Sequence, residues 1–275
     1  MATGSPRAQR AASPLRFRRN ADRLTSGQLT LLRNAFAAVY ALDDDRGYAH
    51  HAGIHGLPLP IGCDNAHGTP FFLPWHRAYL WFFERALRDR VADAMLTWWD
   101  WRTGPGRPAR LAEPFSRTRV GGKANPLHSA RVSRLALEQG RRAGVTVSGR
   151  TQREPGAVDQ LPSVQEVRRV LELRDFLDFS AALEGLHDRV HVWTGGHMGI
   201  IPFAAFDPIF WAHHTMVDRV WRLWQLRHPG ARPPRAILDE ALPPFRMTVR
   251  QTLDVTALGY DYAVASASSR TEGTR

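Results

Sequence analysis

Apolar residues recur at intervals of three and four in four stretches of the chain, Ser26 to Leu42, Pro74 to Ala92, Phe176 to Val192 and Phe210 to Arg227. That spacing puts them on one face of an α-helix, so the pattern predicts four amphipathic helices packed against one another. Pro74 opens the second, where a fixed φ and a missing N–H suit a first turn. Between Thr103 and Ser163, Gly, Pro, Arg and Ser displace the periodicity. This stretch reads as long surface loop, with one short helix near Ser129 to Gln139. The fold class predicted is therefore mainly α, a four-helix bundle with long loops. Residues 1–22 read as a flexible basic arm, 23–265 as one domain and 266–275 as a flexible tail.

Composition adds the setting. A chain of 275 residues, 43% of them hydrophobic, can enclose one good-sized core. The net charge of +11 raises the question of nucleic acid, since clustered Arg and Lys neutralise phosphates. Here 37 basic residues, all Arg except Lys123, are spread along the chain and often stand beside acids, as in FERALRDR and MVDRVW. That distribution excludes a dedicated nucleic-acid reader and leaves only non-specific contact with polyanions. The preference for Arg over Lys has the look of a GC-rich bacterial genome. No stretch reaches the apolar length of a membrane span, and the N-terminus lacks the apolar core of a secretory signal. The expected location is cytoplasmic. Cys63 is the sole cysteine, so no intramolecular disulfide can form.

The chemistry lies in the histidines. His187 and His191 are four residues apart, so on a helix both rings project from one face and can grip one ion. The helix predicted from Phe210 carries His213 and His214, and neighbouring helical residues diverge by about 100°, so only one of them faces that ion. Asp218, one turn beyond His214, could orient its ring through the second nitrogen, which favours His214 and leaves His213 as a core histidine. A second group is formed by His67, on the turn made by Gly68, Thr69 and Pro70, and His76, two residues after Pro74. Its third member lies in YAHHAGIHG, where spacing alone does not choose between His51 and His55. Imidazole suits zinc, copper, iron and nickel alike, and three histidines also make a catalytic zinc site. Two all-histidine groups argue against di-iron and di-magnesium centres, which use carboxylates. His197 reads as a hydrogen-bonded turn residue, and His128 and His228 have no partner at ligand spacing.

The motifs GIHGLP, HGTPFFLPWHR, LEGLHDRVHVW, DPIFWAHHTMVDRVW and LGYDY resemble those of the tyrosinase family of type 3 copper proteins, from about Arg18 to Tyr262. That family includes tyrosinases, catechol oxidases, o-aminophenol oxidases and molluscan haemocyanin units. The resemblance implies a helical bundle around two copper ions that use O2 as co-substrate. By it, His55, His67 and His76 are the ligands of one ion and His187, His191 and His214 of the other. It also chooses His55 over His51, because Tyr48 precedes His55 at the family's spacing. The implied reaction is oxidation of small phenolic or aminophenolic substrates to o-quinones or quinone imines. Some members also hydroxylate monophenols, and a haemocyanin-like O2 carrier is the reading of another class.

Departures from the family pattern shape the expectation. Asp188 follows His187 where monophenol-hydroxylating relatives usually carry Asn, although Glu184 matches the glutamate that works with it. Oxidation of diphenols or aminophenols is therefore expected to dominate, with monophenol hydroxylation weak or absent. Many fungal and molluscan relatives join a cysteine to the second histidine by a thioether from two residues away; Cys63 stands four before His67. Ile201 aligns with a residue that gates the substrate pocket. A copper-delivery or carrier protein is the partner the family suggests, with export on that carrier as the alternative to a cytoplasmic location. The chain's end shortly after Tyr262 leads to the expectation that no C-terminal shielding domain needs removal.

Overall fold

The computed structural model describes residues 14–58, 63, 65–156 and 161–263. In chain order the elements are β1 (Arg16–Asn20), α1 (Ser26–Tyr40), α2 (Tyr48–His55), α3 (Phe72–Arg90), β2 (Thr97–Trp98), α4 (Glu113–Ser116), β3 (Arg119–Val120), β4 (Lys123–Ala124) and α5 (Arg134–Arg142). They continue with α6 (Val164–Glu172), α7 (Phe176–Thr194), α8 (Ile201–Ala204), α9 (Pro208–Arg227), α10 (Val249–Thr252) and β5 (Tyr260–Tyr262). The four predicted helices are α1, α3, α7 and α9. Thr25 and Gln28 close a capping box at the start of α1, and Asp175 caps α7 by accepting from Leu177 N and Asp178 N. Asp207 caps α9, whose first residue is Pro208. Each cap satisfies amides that have no partner within the helix. Helix α3 begins at Phe72, before the predicted Pro74, because proline is tolerated throughout a first turn.

The bundle differs from expectation in one member. Helix α3 packs on α1, α7 and α9, but the fourth helix bearing a candidate ligand is the short α2, and α1 carries none. α1 backs the centre with Phe36, whose ring meets Tyr48 of α2 and Phe83 of α3. The stretch from Thr103 to Ser163 contains α5, close to the short helix expected there, and also α4 and the β3–β4 pair; α6 begins just after it. α6 is set by a capping box of Ser163 and Glu166.

The flexible arm expected over residues 1–22 is corrected from its second half. Arg16–Asn20 is the central strand of a three-stranded parallel sheet of order β2-β1-β5, with Arg16 opposite Tyr260 and Arg19 opposite Thr97. Residues 1–13 and the tail at 266–275 lie outside the described residues.

This strand matters because its alternation turns Arg18 inward, where it is fully buried. Arg18 Nε donates to Glu84 Oε2 at 3.0 Å and Nη1 to Asp218 Oδ2 at 3.1 Å. Arg77 of α3 donates to Asp218 Oδ1 at 2.5 Å and lies over the Trp221 ring at 3.6 Å. Tyr260 donates its hydroxyl to the same carboxylate at 2.8 Å, and Tyr262 does likewise. One buried carboxylate thus ties together β1, α3, α9 and β5. Burial alone would raise its pKa, but Arg77 and Arg18 outweigh that and hold Asp218 below the usual carboxylate range. Its stabilising charge is thus present at neutral pH and is lost only as pH falls through that lowered value. Asp218→Ala leaves two buried guanidiniums without their shared counter-charge and should cost about 3–5 kcal/mol. Urea unfolding of the two proteins checks this; a loss below about 1 kcal/mol would contradict it.

Candidate metal centre

The structure brings all six predicted histidines to one buried centre. His55 comes from the last turn of α2, His67 from the turn before α3, His76 from α3, His187 and His191 from α7, and His214 from α9. In the second trio the Nε2 atoms of His187 and His191 lie 3.2 and 3.3 Å from Nε2 of His214. Nitrogens roughly 2.0–2.1 Å from one tetrahedral metal ion are separated by about that distance. The first trio is more open, with ring centroids 6.1 Å apart for His55 and His67, 5.8 Å for His55 and His76, and 5.2 Å for His67 and His76. The two trios face each other through His76 stacked on His214 at 4.4 Å, and through His67 beside His187 at 5.4 Å.

Four of the rings have their orientation set through Nδ1. His76 Nδ1 donates to Phe72 O and His191 Nδ1 to Met198 O, both at 2.8 Å. Since a carbonyl can only accept, these nitrogens carry the hydrogen and leave Nε2 as a lone pair. His67 Nδ1 meets Glu184 Oε1 at 2.9 Å, and His187 Nδ1 meets Asp188 Oδ1 at 3.0 Å, which gives the same tautomer while the acids are ionised. The inward Nε2 atoms of His55, His67 and His76 are buried with no hydrogen-bond partner among the described residues. Lone pairs aimed into a dry centre are costly unless a cation receives them. The donor set therefore fits a pair of metal ions.

Electrostatics favour the form that binds metal. Burial pushes His55, His76, His187 and His214 well below the usual imidazole range, reinforced by neighbouring rings. His191 is pushed down to about 4 for the same reason. Phe210 lies 4.2 Å from His214 and 4.8 Å from His55, and Phe72 lies 4.9 Å from His76, so aromatic faces exclude water around the rings.

The other candidates divide. Glu184 is nine-tenths buried, and its Oε1 also accepts from Gly68 N at 2.8 Å. The carboxylate belongs to α7, which bears the second trio, yet it orients a ring of the first. Asp188 stands at the rim with its side chain 60% exposed, and burial and Glu184 raise its pKa. Ile201 is exposed at the start of α8, beside the end of α2, where Leu57 N donates to Pro202 O. Buried Cys63 places its sulfur within 4.8 Å of ring nitrogens of His55 and His67. Asp218 is a correction: its oxygens are taken by Arg18, Arg77, Tyr260 and Tyr262, and His214 Nδ1 has no partner among the described residues. The i+4 carboxylate reaches the sheet and not the ring, so it anchors α9 and does not orient the ligand.

His213 is buried and stacked on His187 at 4.9 Å, with Trp101 behind it at 6.2 Å, as a packed core ring would be. His51 packs on Phe83, and its carbonyl accepts from Tyr79. His197 bridges Gln152 N and Ser148 O, the turn role expected of it. The acceptors Phe72 O and Met198 O were invisible to sequence reading, because a main-chain carbonyl has no residue signature.

A helical fold that focuses two imidazole trios on one dry centre defines a protein of paired metal ions. Residues 45–227 match the family model for the common central domain of tyrosinase. The chain belongs to the tyrosinase family, whose members bind two copper ions and use O2. It is 36% identical to a tyrosinase of Streptomyces glaucescens over 240 residues, covering 78% of this chain and 84% of that protein. Units G and H of a Sepia officinalis haemocyanin are 30% identical over 221 residues, 76% of this chain but 37% of that protein. Among solved structures, a functional unit from octopus haemocyanin superposes with a TM-score of 0.73 at 29% identity, covering 90% of this chain and 68% of that one. A copper-bound Aspergillus oryzae tyrosinase in complex with L-tyrosine shares the fold, with a TM-score of 0.76 at 20% identity over 94% and 95% of the two chains.

Because the folded protein holds these imidazoles neutral, the unfolded chain takes up more protons as pH falls through about 6.5. Stability of the metal-free protein should therefore drop between about pH 6.5 and 4. His191 and His51, each pushed down to about 4 by burial, contribute on the order of 3 kcal/mol apiece across that range. Urea midpoints of metal-free protein should be lower at pH 5 than at pH 7.5; equal midpoints would refute this.

Proposed function

We propose that this chain is a dinuclear copper oxidase that uses O2 to convert o-diphenols or o-aminophenols to o-quinones or quinone imines, with monophenol hydroxylation the weaker activity. His55, His67 and His76 hold one ion and His187, His191 and His214 the other. Two coppers held there would supply a route for electrons from substrate to O2, and two diphenols with one O2 balance two quinones with two waters. The chain's own residues set the conditions for this. Carbonyls and carboxylates at Nδ1 hold the rings in the ligating tautomer, and Glu184 locks His67 against the helix of the opposite trio.

The observation that carries the oxidase reading is access. The His67 side chain is 23% exposed, and Asp188 stands open beside it. A phenol ring can reach such an edge, whereas a carrier of O2 must keep reductants out. Ile201, exposed at the start of α8 beside the end of α2, would guide that ring. The likeness to haemocyanin units supports the carrier as the second reading.

Selectivity is assigned to Asp188. An amide there would donate a hydrogen bond to a water or a phenolate; a carboxylate only accepts, and with Glu184 beside it repels a phenolate. Diphenols, which meet the coppers without prior hydroxylation, are less affected. A copper-delivery protein and export on it remain part of this proposal as partner and route.

Copper-loaded protein should consume O2 continuously with catechol or o-aminophenol and far more slowly with tyrosine, and Asp188→Asn should raise the tyrosine rate relative to catechol several-fold. Reversible O2 uptake without quinone would identify a carrier, and equal rates on tyrosine and catechol would refute the role given to Asp188. The place of Cys63 beside His67 supports a thioether formed on copper loading in air. The S–H and an imidazole C–H would be replaced by one C–S bond while O2 takes up the two electrons and two protons. Intact mass should then fall by two hydrogens, and an unchanged mass would exclude the link.

A further inference from the structure

On the β2 side of α9 lies a cleft of about 640 Å³ that contains none of the candidate copper ligands. Arg19, Arg23, Arg102, Arg107, Arg110 and Arg219 line it, against the carboxylates of Asp22 and Asp100. The acids account for part of this charge. Asp100 pairs with Arg102 at 2.7 Å and with Arg107, and Asp22 pairs with Arg110 at 2.7 Å. Arg19, Arg23 and Arg219 have no ion pair among the described residues.

Arg219 is the unusual member. It projects from α9 with its guanidinium over the Trp98 ring at 4.1 Å. Its Nε and Nη1 are buried with no hydrogen-bond partner among the described residues. The ring face offers the cation some attraction but no acceptor for those hydrogens. Burial, and Arg102 after it, push the Arg219 pKa down from its ordinary value, as expected of a cation short of counter-charge. Those two nitrogens are closed off, so the guanidinium offers the cleft its remaining nitrogen, Nη2, whose charge-assisted donors suit a phosphate oxygen. The cleft volume is far larger than one phosphate and lies in the range of small-molecule sites.

We propose that this cleft binds a small molecule carrying phosphate groups, with Arg219 gripping one phosphate and Arg19 and Arg23 supplying the remaining charge. The site is separate from the copper centre and does not depend on which reaction that centre performs. Residue Trp99 donates its backbone N–H to Ala212 O, so the cleft wall is joined to the helix that carries His214.

Fructose 1,6-bisphosphate is a suitable probe, titrated calorimetrically into copper-loaded protein at constant ionic strength, with sodium sulfate and fructose as comparators. Saturable binding to one site per chain is expected, with a rise in melting temperature that fructose does not produce. Arg219→Gln and Arg23→Gln should each weaken binding about tenfold or more, whereas Arg141→Gln, which removes an exposed charge from α5, should change it less than twofold. Arg219→Gln should keep the melting temperature of unliganded protein, and Arg23→Gln, on the surface, reads the site independently if it does not. Equal weakening by all three variants, or sulfate binding as tightly as the bisphosphate, would show diffuse charge attraction and overturn the proposal, as would the absence of saturable heat.

Discussion

Everything at the centre of this protein depends on one constraint: buried imidazoles must be turned so that their hydrogens point outward and their lone pairs inward. Each Nδ1 that meets a fixed acceptor satisfies the outward side, through Phe72 O, Met198 O, Glu184 or Asp188. The inward nitrogens then face one another across 3.2 and 3.3 Å in the second trio, a spacing that suits three nitrogens gathered round one cation. The surrounding fold holds that arrangement. Aromatic rings remove water from it, and burial keeps the imidazoles neutral.

A second polar cluster keeps the helices in register. Asp218 gathers Arg18, Arg77, Tyr260 and Tyr262 into one buried network, so the helix that presents His214 is bound to the sheet and to α3. Asp218 and His214 are four residues apart, but their side chains do different work: one fixes where the helix lies, the other what it presents. A strand from the N-terminal part of the chain is needed for this, since Arg18 comes from β1.

The two carboxylates beside the centre differ in the same sense. Glu184 is buried and committed to His67 and Gly68, which couples α7 to the turn that carries the first trio. Asp188 is open to solvent and touches His187 from the rim, where an incoming phenol would pass. Neighbours on one helix thus divide between a buried acid that ties the metal centre together and an acid open to solvent at its rim. The family contains both oxidases and O2 carriers, and the proposed selectivity is assigned to this rim.

Much of this was legible in the residues. Period marked α1, α3, α7 and α9, with Pro74 pointing to the start of α3, because local spacing suffices to set an amphipathic helix. The i, i+4 pair of His187 and His191 exposed one trio for the same reason. His55 against His51 was open on spacing, since both lie in α2, and only the packing of α2 against α8 and α9 turns one inward. The strand at Arg16–Asn20 carried no local signal strong enough to separate it from a basic arm, because its partners lie far along the chain. The acceptors for Nδ1, the true office of Asp218 and the arginine cleft all depend on groups distant in sequence. Local chemistry alone therefore determined which residues could bind a metal ion and which segments would coil; the tertiary structure decided which rings converge, because convergence is set by contacts between elements that no short stretch of chain contains.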